Sequence, residues 1–319
     1  MNKSKLFLVS PAFNESESLT VFVDALRSTI GDLDAHLILV DDGSTDNTFD
    51  LITKLKTTNN EPGKFEITGI RLSRNFGQQA AIFAGLEAAF AMGSTEDYFI
   101  ILDCDLEHPP RYIKVIVENL EKGIPHVQMV RRENIQNLSL FKRHTSAFFY
   151  RLFSKLSGLK MHPGSSDFRG FNYRFLKAFL KLRESSRFNR GIAYWVGFSR
   201  LEVPYELGSR HAGKTKFSIV KMLRLSFTAI TQFSSKPLII MISTFVAISF
   251  TVCFIYIVAE LHRYFAGLPF QDGWASIMFF IAFWSGTILL SQLFLSIYIS
   301  RIFEEVKNRP AYIIDETTN

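Results

Sequence analysis

The sequence predicts an α/β domain with a mostly parallel sheet, followed by two helices that cross a membrane. Two observations lead to this prediction. Short apolar runs alternate with helix-like stretches in the first part of the chain, a pattern typical of strands joined by right-handed helical crossovers. Two long uncharged stretches lie near the other end, and each exceeds the roughly 20 apolar residues that a helix needs to cross the hydrocarbon core.

Five apolar runs predict strands, and helix-like stretches separate them. The strands are expected at Leu6–Val9, Leu37–Val40, Ile67–Leu72, Tyr98–Leu102 and Val127–Val130. The helices are expected at roughly Ser18–Ile30, Thr45–Lys56, Gln78–Met92 and Arg111–Lys122.

A polar motif follows each predicted strand. In an open α/β sheet, ligands bind at the edge where the parallel strands end, so five polar motifs on one edge predict a single site. The motifs are Pro11–Glu15, Asp41–Ser44, Ser73–Gly77, Asp103–Asp105 and Arg131–Arg132.

Asp103 and Asp105 stand one residue apart at the end of a predicted strand. Residues i and i+2 of a strand point to the same side, so both carboxylates can reach one cation. Hard oxygen ligands suit Mg²⁺ or Mn²⁺, and a metal held in this way typically neutralises a diphosphate. Cys104 lies between the aspartates and is expected to turn into the core.

Composition and missing motifs limit the class of protein. Hydrophobic residues make up 47% of the 319-residue chain and charged residues 21%, too apolar for disorder and too charged for burial wholly in lipid. Two cysteines exclude a disulfide scaffold and suit a reducing compartment, and the net charge of +6 indicates an anionic partner. No dinucleotide fingerprint, zinc spacing or Gly-x-Ser-x-Gly elbow is present.

Two membrane spans are predicted at 237–259 and 274–300, because neither stretch contains a charged residue. A short extracytoplasmic loop, 260–273, joins them. Lysine and arginine residues lie directly before the first span and directly after the second. The positive-inside rule therefore puts the large domain 1–213, the tail 301–319 and both termini in the cytoplasm. The expected location is the inner membrane.

Two further segments pair bulky apolar residues with cations on opposite helical faces. They are 141–157, within the first domain, and 214–236, directly before the first span. A helix packed on a globular core has the same pattern. Beside a membrane span, this pattern favours helices that lie in the lipid headgroup layer.

Gly208–Thr215 matches the phosphate-loop pattern Gly-x4-Gly-Lys-Thr and leaves a P-loop nucleotide hydrolase as an alternative. Such a hydrolase builds most of its parallel sheet after this loop. Here an amphipathic helix and two membrane spans follow, which leave no chain for a Walker B strand. A catalytically silent, nucleotide-binding membrane scaffold is the second alternative, and the intact Asp-x-Asp motif argues against it.

The motifs as a set resemble those of GT-A-fold glycosyltransferases of family 2. The resemblance is carried by Pro11–Glu15, Val40–Ser44, Leu72–Gly77 and Leu102–Leu106. Asp167–Arg169, Gly213–Lys216, Glu305–Pro310 and the two terminal spans narrow it to polyprenyl-phosphate glycosyltransferases of the bactoprenol glucosyltransferase and dolichol-phosphate mannosyltransferase kind. It implies a nucleotide-sugar donor, a polyprenyl phosphate acceptor, a Mg²⁺ or Mn²⁺ cofactor, inversion at the anomeric carbon and a role in cell-envelope glycan modification.

The resemblance also implies roles for single residues. Asp103 and Asp105 hold the metal and the donor diphosphate, and Asp167 is the family's suggested base. The nucleotide is expected to bind at Pro11, Asn14, Glu15, Asp42 and Arg74. Candidates for the lipid phosphate are Arg131, Arg132, Arg210, Thr215 and Lys216, because arginine gives bidentate contacts to phosphate.

Three departures from the family pattern bear on these expectations. Glu107 and His108 replace the usual Gln and Asp after the Asp-x-Asp motif, and Glu107 is our candidate for the third metal contact. Gln78 replaces a frequent lysine. The processive signature Gln-x-x-Arg-Trp is missing, which argues against polymer extrusion. We expect a lipid bilayer and possibly a second copy of the chain as partners, and no nucleic acid.

Overall fold

A computed structural model describes residues 4–59, 61–132, 154–155, 158, 161–162, 164–184, 187–208, 236–267 and 273–318. The chain divides into two compact units, Met1–Met222 with Pro310–Asn319, and Leu223–Arg309. The first unit is an α/β domain, and the second is a pair of long helices. The predicted amphipathic segments 141–157 and 214–236 fall almost entirely outside the described residues.

The described part of the first unit contains one eight-stranded sheet and six α-helices. Its strands are β1 (Leu6–Ala12), β2 (Ala35–Asp41), β3 (Phe65–Leu72), β4 (Tyr98–Ile101), β5 (His126–Arg131), β6 (Ser165–Asn172), β7 (Arg200–Tyr205) and β8 (Ile314–Thr317). Its helices are α1 (Leu19–Ile30), α2 (Thr48–Asn59), α3 (Gln78–Met92), α4 (Ile113–Glu121), α5 (Tyr173–Leu180) and α6 (Asn189–Trp195). A short 3₁₀ turn, Pro110–Tyr112, precedes α4.

The predicted α/β class is confirmed, and the sheet is mostly parallel. Its strand order is β7-β5-β6-β4-β1-β2-β3-β8. Strand β1 lies parallel to β2 and β4, β2 to β3, and β5 to β7. Strand β6 runs antiparallel between β4 and β5, so its first residues lie at the edge where β1 to β5 end. This reversal is what brings Asp167 to the predicted site edge.

Burial explains why the first strands are readable from the sequence. Every residue of β1 and β2 is buried, as expected for parallel strands that helices cover on both faces.

Helix α2 starts three residues later than predicted, because the Asp46 carboxylate accepts a hydrogen bond from the Thr48 amide (3.0 Å) and caps the first turn. Phe171 of β6 and Phe175 and Phe179 of α5 stack on one another.

The end of the chain forms part of the first unit. Strand β8 pairs antiparallel with β3, and the Thr318 amide donates to the Gly69 carbonyl (2.9 Å). The Ser73 amide donates to the Ile313 carbonyl (2.9 Å), and the Tyr312 hydroxyl donates to Glu87 Oε2 (2.5 Å). The sequence predicts only a cytoplasmic tail at 301–319. The structure shows that it adds an edge strand to the sheet.

The second unit contains helices α7 (Lys236–Phe265) and α8 (Trp274–Val306). Their apolar parts have mean hydropathies of 2.6 and 1.8, and almost none of their residues is buried, unlike those of the core helix of a soluble protein. Both are candidate membrane spans by length and composition. Each helix extends beyond its predicted span, and in α7 the added turns include an ion pair between Arg263 and Glu260 (3.6 Å).

His126 gives the first unit a pH-dependent stability. Its ring is buried against Phe175, with the ring centroids 4.7 Å apart. Burial, and then the charges of Arg169 and Arg200, hold its pKa well below the usual 6.5. Below about pH 6.5 the unfolded chain therefore binds a proton that the folded chain does not bind. As the pH is lowered through this range, the free energy of unfolding decreases by up to about 1.4 kcal/mol per pH unit.

We expect His126→Phe to remove this contribution. Between about pH 5 and 7, the free energy of unfolding of the variant should depend less steeply on pH than that of the wild type. Denaturant titrations at several pH values in one detergent measure both slopes. Equal slopes would show that His126 takes up a proton equally in the folded and unfolded chains.

Deletion of residues 310–319 is expected to destabilise the first unit while leaving both long helices intact. The deletion removes the β8 pairing and the Tyr312–Glu87 hydrogen bond. The deletion removes at least four hydrogen bonds, and at about 0.5–1.5 kcal/mol net for each, the loss should amount to roughly 2–6 kcal/mol. Thermal unfolding in detergent measures the change, and deletion of Asn319 alone is the control. An unchanged midpoint would contradict a structural role for β8.

Candidate active site

Two loops at the edge of the sheet are tied together through Asn14. The Asn14 amide donates to Ser44 Oγ (2.9 Å), and the Thr45 amide donates to Asn14 Oδ1 (2.9 Å). Asn14 has a φ of 55°, a left-handed conformation that asparagine tolerates better than most residues. Glu15 joins the same cross-link, because its amide donates to Thr48 Oγ1 (3.0 Å) and its carboxylate accepts from Ser18 Oγ (2.6 Å).

Asp42 holds the loop after β3. Its two carboxylate oxygens accept the amides of Phe76 (2.7 Å) and Gly77 (2.8 Å). Burial raises the pKa of Asp42, although both amides act in the other direction. The next residue, Gly43, has a φ of 67°, and a Cβ there would lie 2.5 Å from the Arg74 carbonyl carbon. Only glycine lets the two loops approach so closely.

Arg74 and Pro11 complete the predicted nucleotide side. The Arg74 guanidinium lies over the Phe76 ring, 4.0 Å from its centroid, and is exposed. Pro11 is buried, and its carbonyl accepts from the Cys104 thiol (3.3 Å). Cys104 therefore points into the core, as predicted. Its pKa is raised well above the usual value by burial first, and the group stays a thiol.

Asp103 lies in a turn that side chains hold in place. Gln78 Nε2 donates to Asp103 Oδ1 (2.9 Å), and the Asp103 amide donates to His108 Nδ1 (2.9 Å). The His108 ring is fully buried, stacks on Phe168 and has its pKa lowered to about 3 by burial, so it is neutral, as an accepting Nδ1 requires. Within the turn, the Glu107 amide donates to Asp105 Oδ1 (3.0 Å).

Asp167 is buried between two guanidinium groups. Arg169 Nη2 donates to its Oδ1 (2.9 Å), while Nε and Nη2 of Arg190 both donate to its Oδ2 (3.0 and 2.8 Å). Although burial acts in the other direction, Arg190 and Arg169 hold the pKa of Asp167 well below its usual range. Asp167 is thus a permanent carboxylate.

The acidic side chains of the site suit a divalent cation. Burial first, and then the charges of Asp167 and Asp105, raise the pKa of Asp103 to about 7, and a cation would offset this crowding of negative charge. Among the described residues, no group of three or more His, Cys, Asp or Glu side chains is arranged to hold a metal. Mg²⁺ is commonly bound by one or two carboxylates together with substrate phosphates and water, so the Asp103–Asp105 pair fits it.

Two of the five predicted lipid-phosphate residues are described. Arg131 Nε donates to the Tyr205 hydroxyl (3.3 Å), and its Nη2 lies 3.9 Å from Glu107 Oε2. Arg132 is 69% exposed and lies 3.9 Å from Glu206. Glu107 thus has a cation beside it, and its predicted metal contact stays a prediction. Arg210, Thr215 and Lys216 lie outside the described residues.

Gly208 opens the phosphate-loop-like motif and packs on the Asp103 turn. Its amide donates to the Glu107 carbonyl (3.2 Å), and a Cβ at this position would clash with the Leu106 carbonyl oxygen. Close packing therefore explains this glycine without a P-loop. Among the described residues after Gly208, the one strand is β8, which is an antiparallel edge strand, so no strand there suits a Walker B motif.

Arg190 is a site residue that the sequence analysis did not identify. In the sequence, Arg190–Trp195 stands out only as a stretch that does not fit the processive signature Gln-x-x-Arg-Trp. No spacing rule links Arg190 to Asp167, because the two residues lie on different elements, α6 and β6. The available signal was an Arg-Gly pair at the start of a short apolar helix, which is weak by itself.

The fold and the site define an α/β enzyme with acidic groups at the strand ends, and comparisons identify its family. The family model described as "Glycosyl transferase family 2" matches residues 7–180, more than half of the chain. The chain therefore belongs to glycosyl transferase family 2 and is a glycosyltransferase.

The relatives match over nearly the full length of the chain. The uncharacterized glycosyltransferase YkoT of Bacillus subtilis is 35% identical over 97% of this chain and 91% of its own length. The SfII prophage-derived bactoprenol glucosyl transferase of Shigella flexneri is 33% identical over 98% of both chains. A solved structure, glucosyl-3-phosphoglycerate synthase from Mycobacterium tuberculosis, is similar at 17% identity with a TM-score of 0.49, covering 71% of this chain and 76% of that one.

Asp42→Asn tests the structural role of this carboxylate. Asparagine offers one acceptor oxygen and would face the second backbone amide with its own NH₂ group. We expect a loss of about 1–3 kcal/mol in the free energy of unfolding, the cost of one buried donor without an acceptor. Chemical denaturation measures the loss, with Asp24→Asn on the exposed face of α1 as the matched control. Equal stability of the two variants would contradict this role.

Proposed function

We propose that the chain transfers a sugar from a nucleotide-sugar donor, a UDP-hexose, to polyprenyl phosphate, the undecaprenyl form in bacteria. The product is a polyprenyl-phosphate sugar for cell-envelope glycan modification, and the anomeric carbon is inverted. The observation that carries the proposal is the match to bactoprenol glucosyl transferases over 98% of this chain, because it includes both the catalytic unit and the two long helices.

The connectivity of the two units supports a location at one face of the inner membrane. The chain leaves the first unit before α7 and returns to it at Pro310. If both long helices cross the bilayer, this return requires an even number of crossings, and both termini lie on the same side. Lys236, Arg301, Lys307 and Arg309 flank the helices on that side and favour the cytoplasmic face.

On the donor side, the predicted roles are compatible with the hydrogen bonds described above. Asn14, Glu15 and Asp42 fix the loops that would surround the base and ribose, with Pro11 beneath them and Arg74 at the surface. Asp103 and Asp105 would hold Mg²⁺ or Mn²⁺, which would neutralise the charge that grows on the departing diphosphate. The hydrogen bonds of Gln78 to the Asp103 carboxylate and of the Asp103 amide to His108 hold this residue in place, which supports such a role.

On the acceptor side, the chemistry needs little help from a base. The second pKa of a phosphate monoester is about 6, so at pH 7 much of the acceptor is already a dianion. Its oxygen forms the new bond to the anomeric carbon, and the electron pair of the broken bond leaves with the nucleoside diphosphate. Positioning then contributes most of the rate, and we assign the phosphate to Arg131, Arg132, Arg210, Thr215 and Lys216. A homo-oligomer stays a prediction.

Asp103→Asn and Asp105→Asn test the proposal. Each substitution removes one negative charge from the acidic pair, and we expect transfer to fall by at least about 100-fold, as for the loss of one strong electrostatic contact in a transition state. Membranes that contain each variant are incubated with a labelled nucleotide sugar, Mg²⁺ or Mn²⁺ and polyprenyl phosphate. The readout is label in an organic-extractable, acid-labile lipid.

The control is Asp50→Asn on the exposed face of α2, which should retain wild-type transfer. Absence of label in lipid for the wild type across UDP- and GDP-sugars would overturn the proposal. Release of phosphate from ATP or GTP that depends on Lys214, without labelled lipid, would support the P-loop hydrolase instead.

A further inference from the structure

We propose that Arg190 is a phosphate-binding residue of this site, and that Asp167 acts through it as a positioning residue instead of as a general base. The inference rests on the proposed function, because the phosphate belongs either to the donor diphosphate or to the lipid acceptor. The two sources share one chemistry, a phosphoryl oxygen that takes hydrogen bonds from a guanidinium group.

The contacts of Asp167 leave it poorly suited to accept a proton. Both of its carboxylate oxygens take hydrogen bonds from guanidinium groups, Oδ1 from Arg169 and Oδ2 from Arg190. A base must offer an oxygen to the reacting hydroxyl within hydrogen-bond reach. A dianionic phosphate acceptor has no such proton to give. The paired carboxylate is instead suited to fix the orientation of Arg190.

The backbone beside Arg190 is anchored on the first turn of α3. Asn189 is buried, its amide donates to Gln79 Oε1 (3.0 Å), and its side-chain Nδ2 donates to the Gln79 carbonyl (3.0 Å). Arg169 Nη1 donates to the Asn189 carbonyl (3.3 Å). Gln78, the neighbour of Gln79, holds Asp103. The first turn of α3 therefore contacts both the residue before Arg190 and the Asp103 carboxylate.

Exposure distinguishes Arg190 from the other members of this network. The side chains of Asp167 and Arg169 are 3% and 1% exposed, whereas that of Arg190 is 33% exposed. Arg190 is thus the member through which the network reaches solvent. Two guanidinium groups and one carboxylate give the network one surplus positive charge. The positive charge of Arg190 acts to lower the pKa of Asp103. A positive group beside the acidic pair can attract a phosphate.

Arginine chemistry completes the assignment. A guanidinium carries five N–H donors in a planar fork, and Asp167 takes the one on Nε and one of the two on Nη2. A fork held on one side by a buried carboxylate keeps its plane fixed, which suits bidentate recognition of a phosphate. No proton moves in this role. Arg190 stabilises charge on phosphoryl oxygens while the sugar changes partner.

A double-mutant cycle tests the division of roles between the two residues. Arg190→Gln, Asp167→Asn and the double variant are compared in the full-length protein with UDP-sugar and polyprenyl phosphate. We expect each single variant to lose about 10- to 100-fold in kcat/KM, typical for hydrogen bonds to a charged group. If Asp167 acts through Arg190, the double variant should be no slower than Arg190→Gln by more than about threefold.

Matched controls separate this result from misfolding. Arg183→Gln removes an exposed arginine that pairs with Glu87 and should keep wild-type kinetics. In Arg190→Gln, Asp167 keeps Arg169 as a partner, so we expect the fold to be retained, and thermal unfolding checks this. Arg190→Ala should recover activity in a saturable manner when guanidinium ions are added, whereas Asp167→Asn, which keeps its arginine, should not.

Binding measurements identify which phosphate Arg190 contacts. Weaker binding of UDP by Arg190→Gln indicates the donor, and a raised KM for polyprenyl phosphate with unchanged UDP affinity indicates the acceptor. Unchanged rates together with unchanged affinities would overturn the assignment of Arg190. Rate losses that multiply in the double variant would overturn the positioning role of Asp167. A wild-type protein inactive with every donor would overturn the proposed function instead, and the two affinities would then decide the inference alone.

Discussion

The buried ion pair of Asp167 with two guanidinium groups is the constraint on which the site depends. A carboxylate removed from water is costly unless it is paired and hydrogen-bonded, and Arg169 and Arg190 satisfy both of its oxygens. Because these three residues come from β6 and α6, and the start of α6 is docked on α3, the pairing fixes elements on both sides of the acidic turn. Removing Asp167 would leave two guanidinium groups without a counter-charge in a low-dielectric region, whereas removing Arg190 leaves Asp167 paired with Arg169.

The loops around this network are held by side chains bonded to backbone, so they are ordered before any ligand binds. Asp42 carries the loop after β3, Asn14 joins the loops after β1 and β2, and His108 closes the turn of Asp103. Each contact satisfies backbone amides that would otherwise lack partners at the end of a strand. Several residues that the family resemblance assigns to the nucleotide thus have a structural task as well. Loss of activity on their substitution therefore has to be separated from loss of loop structure.

The sequence was most informative where burial follows a simple period. Strands β1 to β5 and helix α3 were predictable because continuous apolar runs and helical spacing reflect burial directly. Strand β6 was not, since it places Asp167 and Arg169 in the core, and a strand containing buried charges resembles a surface loop in sequence. Strand β8 was missed because its residues are exposed and its partner, β3, lies more than two hundred residues earlier. The resemblance identified Asp167, but its pairing with Arg190 depends on tertiary packing that no local pattern records.

The return of the chain to the sheet after the long helices links the two parts of the architecture. The Ser73 amide, which starts the loop that Asp42 holds, donates to the Ile313 carbonyl, and Tyr312 reaches Glu87 on α3. The segment that follows α8 is therefore bonded to the same loop and helix that carry Arg74 and Gln78. The strand at this edge of the sheet, β8, thus comes from the segment that follows the two long helices, although its partner β3 lies in the first part of the chain.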